Sequence, residues 1–364
     1  MEQVWKNGPH DGYKWFEQIK FCCDSLVDDL SQEVFYARLC YDLYPTIENQ
    51  KKLLNSATID GKEEILSIYS QLGQLSRDQT PIYLYGAGCR GLWWYRYFTK
   101  MHIRVVAFID RKCETLGTYC GIPVIAPPKN KTDLPEDCLI FITTKDYQTE
   151  IYQSLLLTDI PAEKIIRINE AEKTLQHQYF DFPQYYTAGG AFIDGGCLDL
   201  STSQYFSKWS NGQYSKIYAF EPDPKSYQRC LTKAKEENLR DLHIIQAGLG
   251  KETGIASFDA TNNGSSHISN QGTQTIQIAT IDETVGNEKV SFIKMDIEGA
   301  ELDALMGAAN TIQRDKPLCA ICVYHKLGDV LVIMNYLKSL VPEYRFALRH
   351  YSSAWNETVL YAFE

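Results

Sequence analysis

AFIDGG (residues 191–196) is an apolar run that ends on an acid, Asp194, and then breaks at the paired glycines Gly195 and Gly196. Two later runs have the same shape: KIYAFE (216–221) ends at Glu221, and SFIKMD (291–296) ends at Asp296. Short continuous apolar runs separated by helical stretches read as buried parallel strands with crossover helices. In such a sheet the carboxyl ends of the strands face the crevice where ligands bind. Glu221 lies about 25 residues past Gly196, the distance at which a strand-end acid accepts from the hydroxyls of a ribose. The glycines allow backbone to approach the rest of such a ligand. Pro222 after Glu221 suits the start of the next helix. A nucleoside held in this way points to S-adenosylmethionine rather than to a dinucleotide.

The alternation continues through LHIIQA, LCAICVY, YRFALRHY and TVLYAFE, with helices expected at TSQYFSKW, PKSYQRCLTKAKEEN, AELDALMGAANTI and VLVIMNYLKSL. Five strands with helical crossovers and a closing antiparallel pair describe a class I methyltransferase sheet, α/β and mostly parallel. Upstream, residues 79–170 show a smaller α/β pattern of about five strands, PIYLYGAG, VVAFID, GIPVI, CLIFITT and KIIRI. Residues 1–78 read as helical, with apolar residues at helical spacing in EVFYARLCYDLYP and IDGKEEILSIYSQLGQL. The expected division is therefore a helical segment (1–78), a small Rossmann-like domain (79–170) and a larger domain (171–364).

The larger domain resembles the FkbM-type, S-adenosylmethionine-dependent methyltransferases. The residues that carry the resemblance are FIDGGCLDLSTS from Phe192, YAFEPDPKSY from Tyr218, AGLGKETGIASF from Ala247, ATIDET from Ala279 and FIKMDIEGAELDALMGA from Phe292. It spans about Ala191 to Glu364. The resemblance implies a class I methyltransferase fold in which Asp194, Gly196 and Glu221 line the cofactor site and Asp296 lies at its edge. It also implies an O-methylated sugar or other small hydroxylated acceptor. One position departs from the family pattern: its second glycine falls on Leu200, where a side chain is expected to crowd the cofactor loop. Asp199, just before it, remains a candidate contact.

Transfer of a methyl group to a neutral alcohol benefits from a base at the hydroxyl. His325, in VYHKLGD beyond the fifth strand, is the first candidate, and a capping or structural histidine is the alternative. Glu298 is a second candidate, and His267, in the polar stretch TNNGSSHISNQG, a third. Asp296, Glu298 and His325 could together hold a divalent metal, but acids opening a helix offer a plainer reading, so no dedicated metal site is expected.

In the smaller domain GAGCRG places Gly86, Gly88 and Gly91 after a strand, with Asp110 at the end of the next one. This is the dinucleotide fingerprint in context. With only about five strands, a nucleotide or nucleotide-sugar is a better expectation than nicotinamide-driven redox chemistry. A degenerate unit serving as scaffold or dimer surface is the alternative, and homo-oligomerisation is left open.

The bulk composition narrows the partners. The chain has 364 residues, 44% apolar and 23% charged, with net charge −10, pI about 5.3 and mean hydropathy −0.30. An acidic chain without a basic run argues against nucleic acid as partner. No apolar stretch approaches a membrane span, and the start lacks a secretory pattern. Eleven scattered cysteines suit reduced thiols in a cytoplasm. A non-catalytic nucleotide-binding protein with a decayed transferase half, and an NAD-dependent oxidoreductase, are the competing functional readings.

Overall fold

The computed structural model describes residues 9–144, 146–167, 178–236, 239–259, 267–268, 272 and 274–364. Two helices come first, α1 (Pro9–Asp24) and α2 (Asp29–Leu43), then α3 (Ile47–Asn55) and α4 (Lys62–Asp78). The first α/β stretch follows: β1 (Ile82–Tyr85), α5 (Cys89–Lys100), β2 (Val105–Ile109), α6 (Cys113–Leu116), β3 (Thr118–Tyr119), β4 (Ile122–Ile125), β5 (Leu139–Ile142), α7 (Gln148–Leu156) and β6 (Ile165–Ile166). The second begins with β7 (Ala191–Gly195), α8 (Ser201–Trp209), β8 (Ile217–Phe220), α9 (Pro224–Glu236), β9 (Leu242–Ile245), β10 (Gly248–Leu249), β11 (Gly254–Asp259), β12 (His267–Ile268) and β13 (Gln274–Ala279). It closes with α10 (Ile281–Val285), β14 (Val290–Met295), α11 (Glu301–Met306), α12 (Ala309–Asp315), β15 (Leu318–Cys322), α13 (Asp329–Leu340), β16 (Arg345–His350) and β17 (Thr358–Phe363).

Contacts divide the chain into two units, Leu43–Lys173 and a larger one joining Met1–Asp42 to Thr174–Glu364. The helical stretch read as one segment over 1–78 is thus shared between them, α1 and most of α2 going to the larger unit and α3 and α4 to the smaller. The smaller unit has a sheet of order β3-β4-β2-β1-β5-β6, parallel from β4 to β6, with β3 antiparallel to β4. The larger unit has a seven-stranded sheet of order β16-β17-β15-β14-β7-β8-β9. In it only β17 runs against its neighbours β15 and β16. This is the mostly parallel α/β architecture that the apolar runs predict, and their burial on both faces explains why β7, β8, β14 and β15 show no polar alternation.

The strand order reverses between β7 and β14, which creates a crevice beyond their carboxyl ends. The turn after α1 covers the far edge of the sheet: Val27 N donates to Phe346 O, and Phe346 N donates to Ser25 O. Arg349 in β16 pairs with Asp28 at 2.8 Å, and the buried Arg38 of α2 pairs with Asp42 at 2.6 Å. Edge coverage of this kind protects a strand from pairing with another chain. A second sheet, of order β10-β13-β11-β12, was not expected from the sequence; its two central strands alternate in GIASFD and QTIQIA, with Phe258, Ile276 and Ile278 forming a small core. Most of the neighbouring polar stretch, read as a loop around His267, lies outside the described residues. Among the described residues no helix is long and apolar enough to cross a membrane.

All eleven cysteines are free thiols. Cys319 and Cys322 sit in β15 as core atoms, and burial pushes the Cys319 thiol up to about 12.

His350 is fully buried, with Nδ1 3.0 Å from Thr358 Oγ1 and Nε2 2.9 Å from the Ala354 carbonyl. Burial, then the Arg38 charge, lowers its pKa to about 3. The unfolded chain takes up this proton near pH 6.5, whereas the folded one resists it. Stability from this residue is therefore present above pH 6.5 and is lost progressively as the pH falls toward 3. The loss is on the order of 4 kcal/mol over that window. Urea unfolding at a series of pH values should show this slope, and His350→Gln should flatten it.

Candidate functional site

The crevice of the larger unit is assembled by the carboxyl ends of β8, β7, β14 and β15. At its centre the turn after β7 is held from below. Lys294 of β14 is buried, and its Nζ donates to the carbonyls of Gly195 (3.0 Å) and Gly196 (2.8 Å) while lying 3.1 Å from Asp194 Oδ1. Ser203 Oγ donates to Asp194 Oδ2 at 2.7 Å. Burial opposes the Lys294 charge, but Asp194 and Asp296 beside it hold the ammonium above its usual range. Asp194 has no exposed surface, so it anchors the glycine turn through Lys294 and Ser203.

Gly196 has φ +72°, and a Cβ there would collide with the Asp296 carbonyl. Glycine is thus required where the two strand ends approach each other. At Gly195 a Cβ would lie 3.0 Å from a Leu249 methyl. The amides of Gly196 and Cys197 both donate to the Phe220 carbonyl, tying the turn to β8.

Leu200 caps α8 in the left-handed conformation, φ +63°. That backbone accounts for a glycine in the family pattern. The leucine side chain is fully buried, in the same apolar cluster as Phe192, Phe206 and Cys230. The crowding expected from the sequence therefore falls on the core and not on the crevice. Leu200→Gly should relieve about 1–2 kcal/mol of left-handed strain. It should also remove a buried leucine worth about 3–5 kcal/mol and add chain entropy. Thermal unfolding should show a net loss of stability, and ligand affinity should not rise by more than a few fold.

Glu221 follows β8 and is 6% exposed. Its Oε2 accepts from Leu198 N at 3.0 Å and its Oε1 from Asp223 N at 2.9 Å. Burial raises its pKa, and these two amides partly restore the charge. Each oxygen keeps a further lone pair for an outside donor. Asp199 is half-exposed, accepts from Ser201 N at 3.0 Å and lies 3.7 Å from Lys233 Nζ. Burial would raise its pKa, but Ser201 and Lys233 bring it below the usual carboxylate range. Pro222 follows directly at the crevice wall, its Cβ facing Gly248.

Beyond β14 and β15 a second group of side chains converges. Asp296 Oδ2 accepts from Tyr179 Oη at 2.9 Å, and Oδ1 accepts from Tyr324 Oη at 3.1 Å. His325 Nε2 lies 3.5 Å from Asp296 Oδ1 and 3.8 Å from Glu298 Oε2. On the other side of the ring, Nδ1 is 2.9 Å from Glu301 Oε1, an ion-pair contact off the line of a hydrogen bond. Glu301 also accepts from Ile297 N at 3.0 Å, so it both opens α11 and backs the imidazole. Burial alone would lower the His325 pKa, but Glu301, then Asp296 and Glu298, raise it to about 9. Burial, with the charges of Asp296 and Glu301, raises Glu298 to about 7 against the pull of His325. Burial opposes ionisation of Asp296, yet His325, Lys294 and the two tyrosine hydroxyls hold its pKa below the usual range.

The structure thus brings His325, Glu298 and Asp296 together. It places His267 in β12, opposite Asp259 of β11 in the side sheet. Sequence reading missed Lys294, Ser203 and Tyr179. Only Lys294 leaves a signal, as a lone charge inside a buried run, which demands a partner.

In the smaller unit the glycine turn is also bound to its own chain. A Cβ at Gly86 would meet Thr143, and one at Gly91 would meet the Gly86 carbonyl, whereas Gly88 faces open space. Asp110 Oδ2 accepts from Ala87 N and Oδ1 from Lys112 N, both at 2.9 Å. Asp110 therefore ties the ends of β1 and β2 together.

Known proteins agree with this architecture. A family model described as the methyltransferase FkbM domain matches residues 190–346. The hexuronic acid methyltransferase AglP of Haloferax volcanii is 31% identical over 105 residues, which are 27% of this chain and 44% of that protein. The chain thus spans less than half the length of this curated relative. The crystal structure of methyltransferase FkbM from Methylobacillus flagellatus KT superposes with a TM-score of 0.50 at 17% identity, covering 86% of this chain and all of that one. The larger unit carries, over residues 190–346, a methyltransferase FkbM domain.

Proposed function

We propose that this chain is an S-adenosylmethionine-dependent methyltransferase that acts on a hydroxyl of a sugar, a glycan precursor or a related small molecule. The observation that carries the reading is the pairing, along one sheet edge, of a diol-accepting carboxylate with a polar cluster. Glu221 offers two oxygens with spare lone pairs at the end of β8, and Asp296, Glu298 and His325 converge at the ends of β14 and β15. The donor set fits the cofactor: a buried carboxylate for the ribose hydroxyls, beside a glycine turn fixed by Lys294. Bound there, S-adenosylmethionine supplies a methyl carbon made electrophilic by its sulfonium.

The chain's own residues then do the rest. Glu221 orients the nucleoside, and Lys294 keeps the turn at Gly195–Gly196 in place so that little motion remains between cofactor and acceptor. The cluster of Asp296, Glu298 and His325 receives the acceptor hydroxyl and favours loss of its proton. The relative from Haloferax volcanii, named for hexuronic acid, supports a sugar acceptor.

The test is methyl transfer from isotopically labelled S-adenosylmethionine to a panel of neutral and acidic sugars, with the product carbon located by NMR. An O-methyl product is expected, and Glu298→Gln should slow its formation about 100-fold or more while cofactor binding is retained. Transfer to nitrogen alone, or to none of the hydroxylated acceptors by cofactor-bound protein, would refute the acceptor class.

A further inference from the structure

We propose that Asp296, Glu298 and His325 form a binding site for one divalent cation of the Mn2+ type, which holds the acceptor hydroxyl. Its chemical purpose rests on the methyltransferase reading above, but the site itself does not. This departs from the sequence reading, in which no dedicated metal site is expected.

The three ligand atoms lie within 4.8 Å of one another. The His325 Nε2 separations of 3.5 and 3.8 Å from the two carboxylates are too long for hydrogen bonds. Atoms bound side by side to a common ion at about 2.0–2.2 Å stand about 3 Å apart, so the two His325 separations need contract by under about 1 Å, and the carboxylates by at most about 2 Å, to bring all three onto one cation.

An independent observation points to a ligand. The His325 side chain is 7% exposed, yet Nε2 is without a hydrogen-bond partner and aims into the space between Asp296 and Glu298. A buried imidazole nitrogen left in this way has a cost that a metal ion removes. Around it stands the outer support that metal sites use. Glu301, 1% exposed, faces Nδ1 at 2.9 Å and so orients the ring, and the hydroxyls of Tyr179 and Tyr324 hold the two oxygens of Asp296.

The cluster is open on one side, since the Asp296 and Glu298 side chains are 24% and 30% exposed. That opening gives the ion a path in and leaves coordination positions for an outside hydroxyl. Two carboxylates and one imidazole suit a six-coordinate ion that accepts both oxygen and nitrogen, hence Mn2+ before Mg2+. An ion here would polarise an acceptor hydroxyl, whose proton leaves to solvent through the open side as its oxygen bonds to the methyl carbon and the carbon–sulfur bond breaks.

The experiment is a titration of chelator-treated full-length protein with MnCl2, following free Mn2+ by electron paramagnetic resonance. Binding of S-adenosylhomocysteine is measured in parallel, and far-ultraviolet circular dichroism confirms folding of each variant. One Mn2+ per chain is expected. Glu298→Gln and His325→Gln should each weaken it by at least about tenfold, and Glu301→Gln by about 10–100-fold, with S-adenosylhomocysteine affinity changed by no more than about twofold. A free Mn2+ signal undiminished into the millimolar range, or binding that survives both Glu298→Gln and His325→Gln, would overturn the site. Mn2+ binding without S-adenosylhomocysteine binding would keep the site and reject the methyltransferase reading.

Discussion

Glu221→Ala is expected to weaken S-adenosylhomocysteine binding by at least about 100-fold. The carboxylate would make two charge-assisted hydrogen bonds to the ribose, each worth about 1.5–3 kcal/mol. It also accepts from Leu198 N and Asp223 N, which lie in the turns on either side of the crevice. Alanine removes both sets, so a drop in melting temperature should accompany the loss. Glu221→Gln separates the two contributions: one oxygen still accepts, and the backbone ties are partly kept. Affinity should then fall less than for alanine while the fold is nearly unchanged. Calorimetric titration of both variants, with thermal melts alongside, checks the ranking.

Lys294→Met should be the most destabilising substitution at the crevice, costing about 3–5 kcal/mol in urea unfolding. Lys294 and Asp194 are 3% and 0% exposed, so removing the ammonium strands a buried carboxylate. The Gly196 carbonyl loses the Lys294 donor in the same step, and the Gly195 carbonyl keeps only Asp296 N. Adding Asp194→Leu removes the stranded charge and should recover a large part of the stability, because a buried pair replaced by apolar side chains is often neutral. The double variant should still bind S-adenosylhomocysteine poorly, since the turn then keeps its backbone ties to β8 but loses the Lys294 anchor beneath it. Recovery of stability without recovery of binding distinguishes an anchored loop from a merely stable core.

The strand-end acids were legible because continuous apolar runs in a parallel sheet end at the crevice by topology alone. Glu221 and Asp296 stand just past their strands at that edge, whereas Asp194 lies buried within the end of β7. What each acid faces was not legible. Asp194 meets Lys294, about a hundred residues further along, and only the β7–β14 pairing makes them neighbours. The conformation of Leu200 was equally hidden: the left-handed backbone turns its side chain into the core, whereas spacing alone puts it against the cofactor loop. His325 and Glu298 were recognised as candidates from their place after β15 and β14. The contact between Glu301 and His325 was not, because a glutamate at a helix start is explained well enough by the helix dipole. The side sheet around β11 and β13 was missed because its alternating strands are weak signals beside a polar stretch. The attachment of α1 and α2 to the edge strand β16 depends on backbone pairing across the whole length of the chain.

Calorimetric titration of the folded, full-length protein with S-adenosylhomocysteine decides whether the crevice at Glu221 is a cofactor site. A cofactor site at this crevice gives saturable binding at one site per chain, sharply reduced by Glu221→Ala and nearly unaffected by Glu298→Gln. Absence of binding by the folded protein, or binding indifferent to Glu221→Ala, would contradict it.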